Sequence, residues 1–241
     1  MKRVISSIIS SIASSELVLG GVPVTLRVSP RARRLRLKVD PRTGIVLLTV
    51  PRRVSRRRAL AWAAEHQGWV ERALAEIPPR TPLSPGGTIA LRGAPHRIDW
   101  DQARPRRVER EGEVLRVGGP IEGLEARLLR WLKGEALALL REETSEFAAK
   151  AGVMASKVRV GDPVSRWGSC SSTGSVRFSW RLILAPDFVR RATVAHEVAH
   201  LVHMNHGPDF HALVEQLLGA DPRPARLWLR REGATLHRVG A

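Results

Sequence analysis

The chain has 241 residues, of which 43% are apolar and 26% charged, and its net charge of +17 is carried mostly by arginine. That length suits one large domain or two small ones with a real core, and no run approaches the roughly 20 apolar residues that would span a bilayer. A single cysteine, Cys170, excludes an intrachain disulfide and makes the cytoplasm the default compartment.

Lys2 and Arg3 precede an apolar run that loosely imitates a signal peptide. Paired serines interrupt the run and no small-residue cleavage site follows it, so residues 1–16 read as a flexible leader. Segment 17–50 reads as strands: Leu17–Leu19, a Gly20-Gly21 turn, Val22 to Val28, then Leu35–Val39 with alternating apolar and charged residues. Asp40-Pro41-Arg42-Thr43-Gly44 is a turn cluster, which predicts a hairpin back through Ile45 to Val50. Ser55 can cap one helix that carries Leu60, Trp62, Ala63, Trp69, Val70 and Leu74 and stops before Pro78-Pro79. Arg52, Arg53, Arg56, Arg57 and Arg58 crowd its start, where cations oppose the helix dipole; they read as a phosphate site or as a solvated face.

Short strands follow near Thr88–Arg92, His96–Trp100, Arg107–Arg110 and Val114–Val117. A long helix is predicted from about Glu122 to Ala149, with Leu128, Leu129, Leu132, Ala136, Leu140 and Phe147 on its apolar face and Gly152 as a stop. The main division is expected near residue 120, between a β-rich region over 17–120 and a second domain over 121–241. A strand at Lys157–Val160, a polar turn at Ser165–Ser172, a strand from Val176 to Leu184 and a helix from Asp187 to about Met204 come next. Two short helices are predicted near 208–219 and 222–236. The fold class is α+β.

His196-Glu197-Val198-Ala199-His200 carries the chemistry. Residues four apart share a helix face, so the two imidazoles can grip one Zn²⁺. Glu197 then lies beside the metal, where it can act as general base toward zinc-activated water. Five of the eight histidines fall between 196 and 211. His206 is the expected third ligand, at the spacing with which metzincin chains turn back to the metal, although His203 stands where those proteins place glycine. Glu215 is the carboxylate alternative; His203 is expected beside the ligands or facing solvent, and His211 beside the ligands or near substrate. With no tyrosine in the chain, the candidates to stabilise an oxyanion are Arg166, Arg181 and His211; an ion pair bracing a hairpin is the other reading of both arginines. Cys170 is not assigned to the metal, because a fourth protein ligand would close a catalytic site.

Ser165-Arg166-Trp167-Gly168-Ser169-Cys170, Trp180-Arg181-Leu182-Ile183-Leu184-Ala185-Pro186, the zinc motif and Met204-Asn205-His206-Gly207 together resemble the YgjP-like metallopeptidase family, with similarity reaching back through Arg31-Ala32-Arg33-Arg34 and Leu91-Arg92-Gly93. The chain is more distantly similar to SprT-like and Wss-type proteases that act on proteins crosslinked to DNA. The resemblance implies a zincin-like catalytic half with a small sheet and an active-site helix, zinc on His196, His200 and His206, and Glu197 as base. Ala192-Thr193, Ser179 and His211 depart from residues usual in that family. The expected function is a zinc metallopeptidase acting on a peptide. The alternatives are a metal-dependent nucleotide pyrophosphohydrolase acting on a nucleotide substrate, and a nucleic-acid-associated protease or binding module whose basic surface holds nucleic acid.

Overall fold

The computed structural model describes residues 17–240, so the expected leader lies outside the described residues. The chain forms an α+β structure that divides into two compact units between Ile77 and Pro78.

The first unit contains β1 (Leu17–Leu19), β2 (Val22–Ser29), β3 (Arg36–Val39), β4 (Val46–Pro51), α1 (Arg56–Glu65) and α2 (Gln67–Ala75). Its sheet runs β1-β2-β4-β3, with β2 and β4 parallel and the other pairs antiparallel. Strand β4 has neighbours on both sides, and its Val46, Leu48 and Val50 are buried with Ala59, Ala63 and Val70 of the helices. The β3–β4 hairpin closes as expected, with Gly44 at φ 72° and its N–H donating to the Asp40 carbonyl. Ser55 caps α1 by accepting from the Arg58 N–H at 3.3 Å. The single helix expected here is interrupted at His66, whose ring Nδ1 lies 2.8 Å from the Trp62 carbonyl and whose backbone departs from helical angles.

The second unit opens with β5 (Thr88–Leu91), β6 (Ala94–Trp100), β7 (Val108–Glu111) and β8 (Val114–Val117), ordered β5-β6-β8-β7. Helix α3 (Leu124–Lys150) follows, then β9 (Lys157–Gly161), β10 (Gly168–Cys170) and β11 (Ser175–Ser179) in the order β10-β11-β9. Three helices complete it: α4 (Asp187–Ala199), α5 (Pro208–Leu218) and α6 (Arg223–His237). The strand expected through Leu184 ends at Ser179 and gives way to a 3₁₀ turn, Trp180–Ile183, that is buried throughout.

The division expected near residue 120 falls inside this second unit. Ile89, Leu91, Ile98, Leu115 and Val117 of the β5–β8 sheet share one core with Leu124, Leu128 and Leu132 of α3. That core continues through Phe147 to Phe178 and to Val189, Val194 and Val198 of α4. Apolar side chains alternate inward on β5 and recur at helical spacing on α3, so the sheet and the helix bury each other's faces.

Several polar links set the position of α4. Arg190, only 1% exposed, makes a two-pronged ion pair with Glu143 of α3 and also reaches Asp187. Arg191 pairs in the same way with Glu146. At the start of the helix, Arg92 bonds Asp187, and the Arg92 and Gly93 N–H groups donate to the Ile183 and Leu184 carbonyls. Gly93 has φ 81°, and a Cβ there would come within 2.9 Å of Pro186, so the β5–β6 turn seats directly against the entry to α4.

Candidate metal centre

Helix α4 carries His196 and Glu197 in its last turn and ends at Ala199, with His200 as its C-cap. The helix expected to reach Met204 stops earlier, because the chain tightens: the Leu201 and Val202 N–H groups donate three residues back, to the Val198 and Ala199 carbonyls. The His203 carbonyl in turn accepts from His200 Nδ1 at 3.1 Å. This bond orients the His200 ring and leaves its Nε2 free, the usual arrangement around a ligating imidazole.

His196, His200 and His206 each offer a nitrogen, and all three lie within 4.8 Å of one another. The Nε2 atoms of His196 and His206 are 3.4 Å apart. Phe210 of α5 is buried beneath them, with its ring centroid 4.5 to 4.9 Å from each imidazole. Burial, reinforced by the neighbouring His200 and His206, lowers the His196 pKa to about 4. The ring is therefore neutral near pH 7 with a lone pair to donate. Burial lowers His200 as well, opposed by its bond to the His203 carbonyl.

Glu197 lines a pocket of about 200 Å³ together with His196, Trp167, Gly168, Arg226 and Leu229. It is 5% exposed, and its buried Oε2 has no hydrogen-bond partner among the described residues. Burial raises its pKa to about 7, while the positive charge of Arg166 works in the opposite direction. A cation at the histidines would oppose the rise in the same way. Gly168 makes the approach possible, because a Cβ at that position would lie 2.5 Å from the Glu197 carboxylate.

The two arginine candidates part company. Arg166 is exposed and close enough for its charge to act on Glu197. Arg181 is 2% exposed; its guanidinium holds both carboxylate oxygens of Asp162 and donates to the Leu236 and Val239 carbonyls. Its donors are spent tying the 3₁₀ turn to the chain's last helix. His211 lines the pocket, with its ring 6.4 Å from that of His206. Glu215 and Cys170 stand outside the three-histidine group; the Cys170 thiol is pushed up by burial and then by the Glu197 charge.

The α6 wall of the pocket was not anticipated. Arg226 and Leu229 come from that helix, and Trp167 is held there by stacking on His237 and by the bare Gly233 backbone, where a Cβ would lie 2.8 Å from the indole. Ala192, Thr193 and His211 line the same pocket, while Ser179 is buried and caps the 3₁₀ turn.

Three imidazoles converging beside a buried, unpartnered carboxylate define a metal-centre geometry of the hydrolase kind. A family model for the YgjP-like metallopeptidase domain matches residues 33–232, and the chain belongs to that family. Membership places it among metallopeptidase-type hydrolases and implies a metal cofactor. No curated protein and no solved structure matches the chain. Among the described residues, no helix is long and apolar enough to cross a membrane.

Proposed function

We propose that this protein is a zinc-dependent peptidase with Glu197 as its general base. The observation that carries the reading is the three-histidine cluster with the orphaned Glu197 Oε2 on the same helix turn. The donor set fits zinc: three imidazole nitrogens, joined by no further candidate ligand among the described residues, which leaves a coordination position for substrate. His196, His200 and His206 would hold the ion. When bound, zinc supplies Lewis acidity that polarises a carbonyl and acidifies a water.

The remaining steps belong to the chain. Glu197 Oε2 accepts the proton of the attacking water and returns it to the departing nitrogen. Arg166, with no ion pair among the described residues, and His211 supply positive charge or a donor for the oxyanion. Trp167 and Leu229 form an apolar wall against which a substrate side chain packs.

Glu197→Gln is the direct test. The variant is expected to bind zinc stoichiometrically and to lose at least about 100-fold in peptide turnover; unchanged turnover would overturn the mechanism.

Arg166 and Arg226 favour a second substrate for the same machinery. Both are exposed cations next to the pocket, and their charges act on Glu197 and His196, an environment that also suits a phosphoanhydride. Glu197-dependent release of pyrophosphate from nucleoside triphosphates, with peptides inert, would select this reading over peptide cleavage.

A further inference from the structure

The basic charge is unevenly divided. Residues 1–77 contain 15 basic and 5 acidic side chains, whereas residues 78–241 contain 25 and 18. In the second unit many arginines are matched by carboxylates, as with Arg104, Arg116, Arg190 and Arg191. Among the described residues of the first unit, only Arg42 has such a partner, Asp40.

The unmatched arginines are not scattered. Arg31 and Arg33 on the β2–β3 loop and Arg52 and Arg53 after β4 line one cleft of about 870 Å³. All four are exposed, and none makes an ion pair or side-chain hydrogen bond among the described residues. Arg56, Arg57 and Arg58 extend the charge into the first turn of α1, where they oppose the helix dipole and so do not serve helix stability.

The next residues of the same segment border a second hollow. Arg34 and Arg36 flank it, and Trp62, His66 and Trp69 form its other side. The Trp62 and His66 rings lie 4.1 Å apart, and Trp69 is 42% exposed, an expensive way to leave an indole unless something covers it. A track of unpaired cations thus runs into an aromatic platform.

We infer that the first unit binds single-stranded nucleic acid, with phosphates in the Arg31–Arg33–Arg52–Arg53 cleft and a base stacked on the Trp69 platform. The pairing of features selects this partner. Duplex nucleic acid hides its base faces, and an anionic membrane needs the charge but not the stacking surface. Every base offers a π-face, so the mode predicts little sequence preference.

The test uses the full chain and a fluorescein-labelled oligothymidylate of about 20 nucleotides, long enough to cover a single-strand site. Anisotropy titrations across a salt series are expected to give a log K versus log [NaCl] slope of about −3, from four phosphate contacts on a single strand. Replacing Arg31, Arg33, Arg52 and Arg53 by Gln is expected to flatten that slope and weaken binding by about 100-fold or more near 0.1 M salt. Trp69→Ala is expected to lose about 10-fold at every salt concentration with the slope intact, and Trp69→Phe to restore most of it. These side chains are exposed, and unchanged thermal unfolding of each variant establishes that it is folded. Equal affinity for a duplex of the same length, or indifference to Trp69→Ala, would overturn the proposal. So would binding to phosphatidylserine vesicles, lost in the arginine variant, in a protein that ignores the oligonucleotide.

Discussion

Gly168 and Glu197 are in van der Waals contact across the pocket, with no room between them for a methyl group: a Cβ at 168 would sit 2.5 Å from the Glu197 carboxylate. Burial of that carboxylate therefore depends on a glycine in β10, distant in sequence from the helix it serves. Gly168→Ala is expected to leave the three histidines undisturbed while pushing Glu197 aside. Metal content measured by mass spectrometry should stay near wild type, with turnover reduced by about 10-fold to 1,000-fold, as for a displaced general base. Loss of metal together with activity would show that the glycine supports the ligands instead.

His206 is exposed and lies beyond the end of α4, so metal would tie this outlying segment to the helix. A metal bound only by the folded protein stabilises it according to ligand concentration over Kd, about 2.7 kcal/mol at a hundredfold excess. Adding zinc to metal-free protein is expected to raise Tm by several degrees, and His206→Ala to abolish most of that gain. Calorimetric scans with and without a chelator provide the check; an identical rise in the variant would remove His206 from the ligand set.

Arg181 is expected to matter for stability rather than chemistry. Removing it would take a buried donor from the Leu236 and Val239 carbonyls and a two-pronged contact from Asp162. Leaving the two carbonyls without a donor costs about 1–3 kcal/mol each, and the partly exposed Asp162 adds little. Arg181→Met should shift the denaturant midpoint strongly downward, while the protein that remains folded keeps its metal. A wild-type midpoint with lost turnover would restore the catalytic role expected from the sequence.

Two carboxylates near α4 set an acid limit. The hydrogen bond from Arg92 holds Asp187 down at about 2, against an ordinary 3.8, and the bonds from Arg191 and Lys150 hold Glu146 at about 2, against 4.5. Both folded-state values lie below the unfolded ones. Their stabilisation is therefore complete above the unfolded pKa values and is lost as pH falls from roughly 4.5 toward 2. Both groups are partly solvated, so each effect is small. Arg191→Gln is expected to move the acid-unfolding midpoint to higher pH when followed by near-ultraviolet circular dichroism. A midpoint that stays put would show that Glu146 contributes nothing.

Local pattern made much of this structure readable in advance. The spacing of Leu128, Leu132, Ala136, Leu140 and Phe147 located α3 almost to its ends, and Ser55 marked the start of α1. The histidine spacing picked out three residues whose ring nitrogens come within 4.8 Å of one another. What escaped depends on contacts remote in sequence. The break at His66 follows from a ring bonding the preceding turn, and Trp180–Ile183 is so fully buried that its apolar pattern has no period by which to tell a 3₁₀ turn from a strand. The α6 wall of the pocket and the Gly168 contact are set by packing between distant segments. The expected division near residue 120 followed a change from strands to helix, although those strands bury their apolar faces against that very helix.

That shared core gives α3 a role as a spine. Its first turns are covered by the β5–β8 sheet, and its last ones grip α4 through Glu143 and Glu146. A fragment cut at residue 121 would keep the histidines and Glu197 but strip the covering from Leu124, Leu128 and Leu132, and it would lose the Arg92–Asp187 anchor at the head of α4. The helix that carries His196 and Glu197 is thus not a portable cassette: it can be inherited, transplanted or trimmed only together with the strands that precede it.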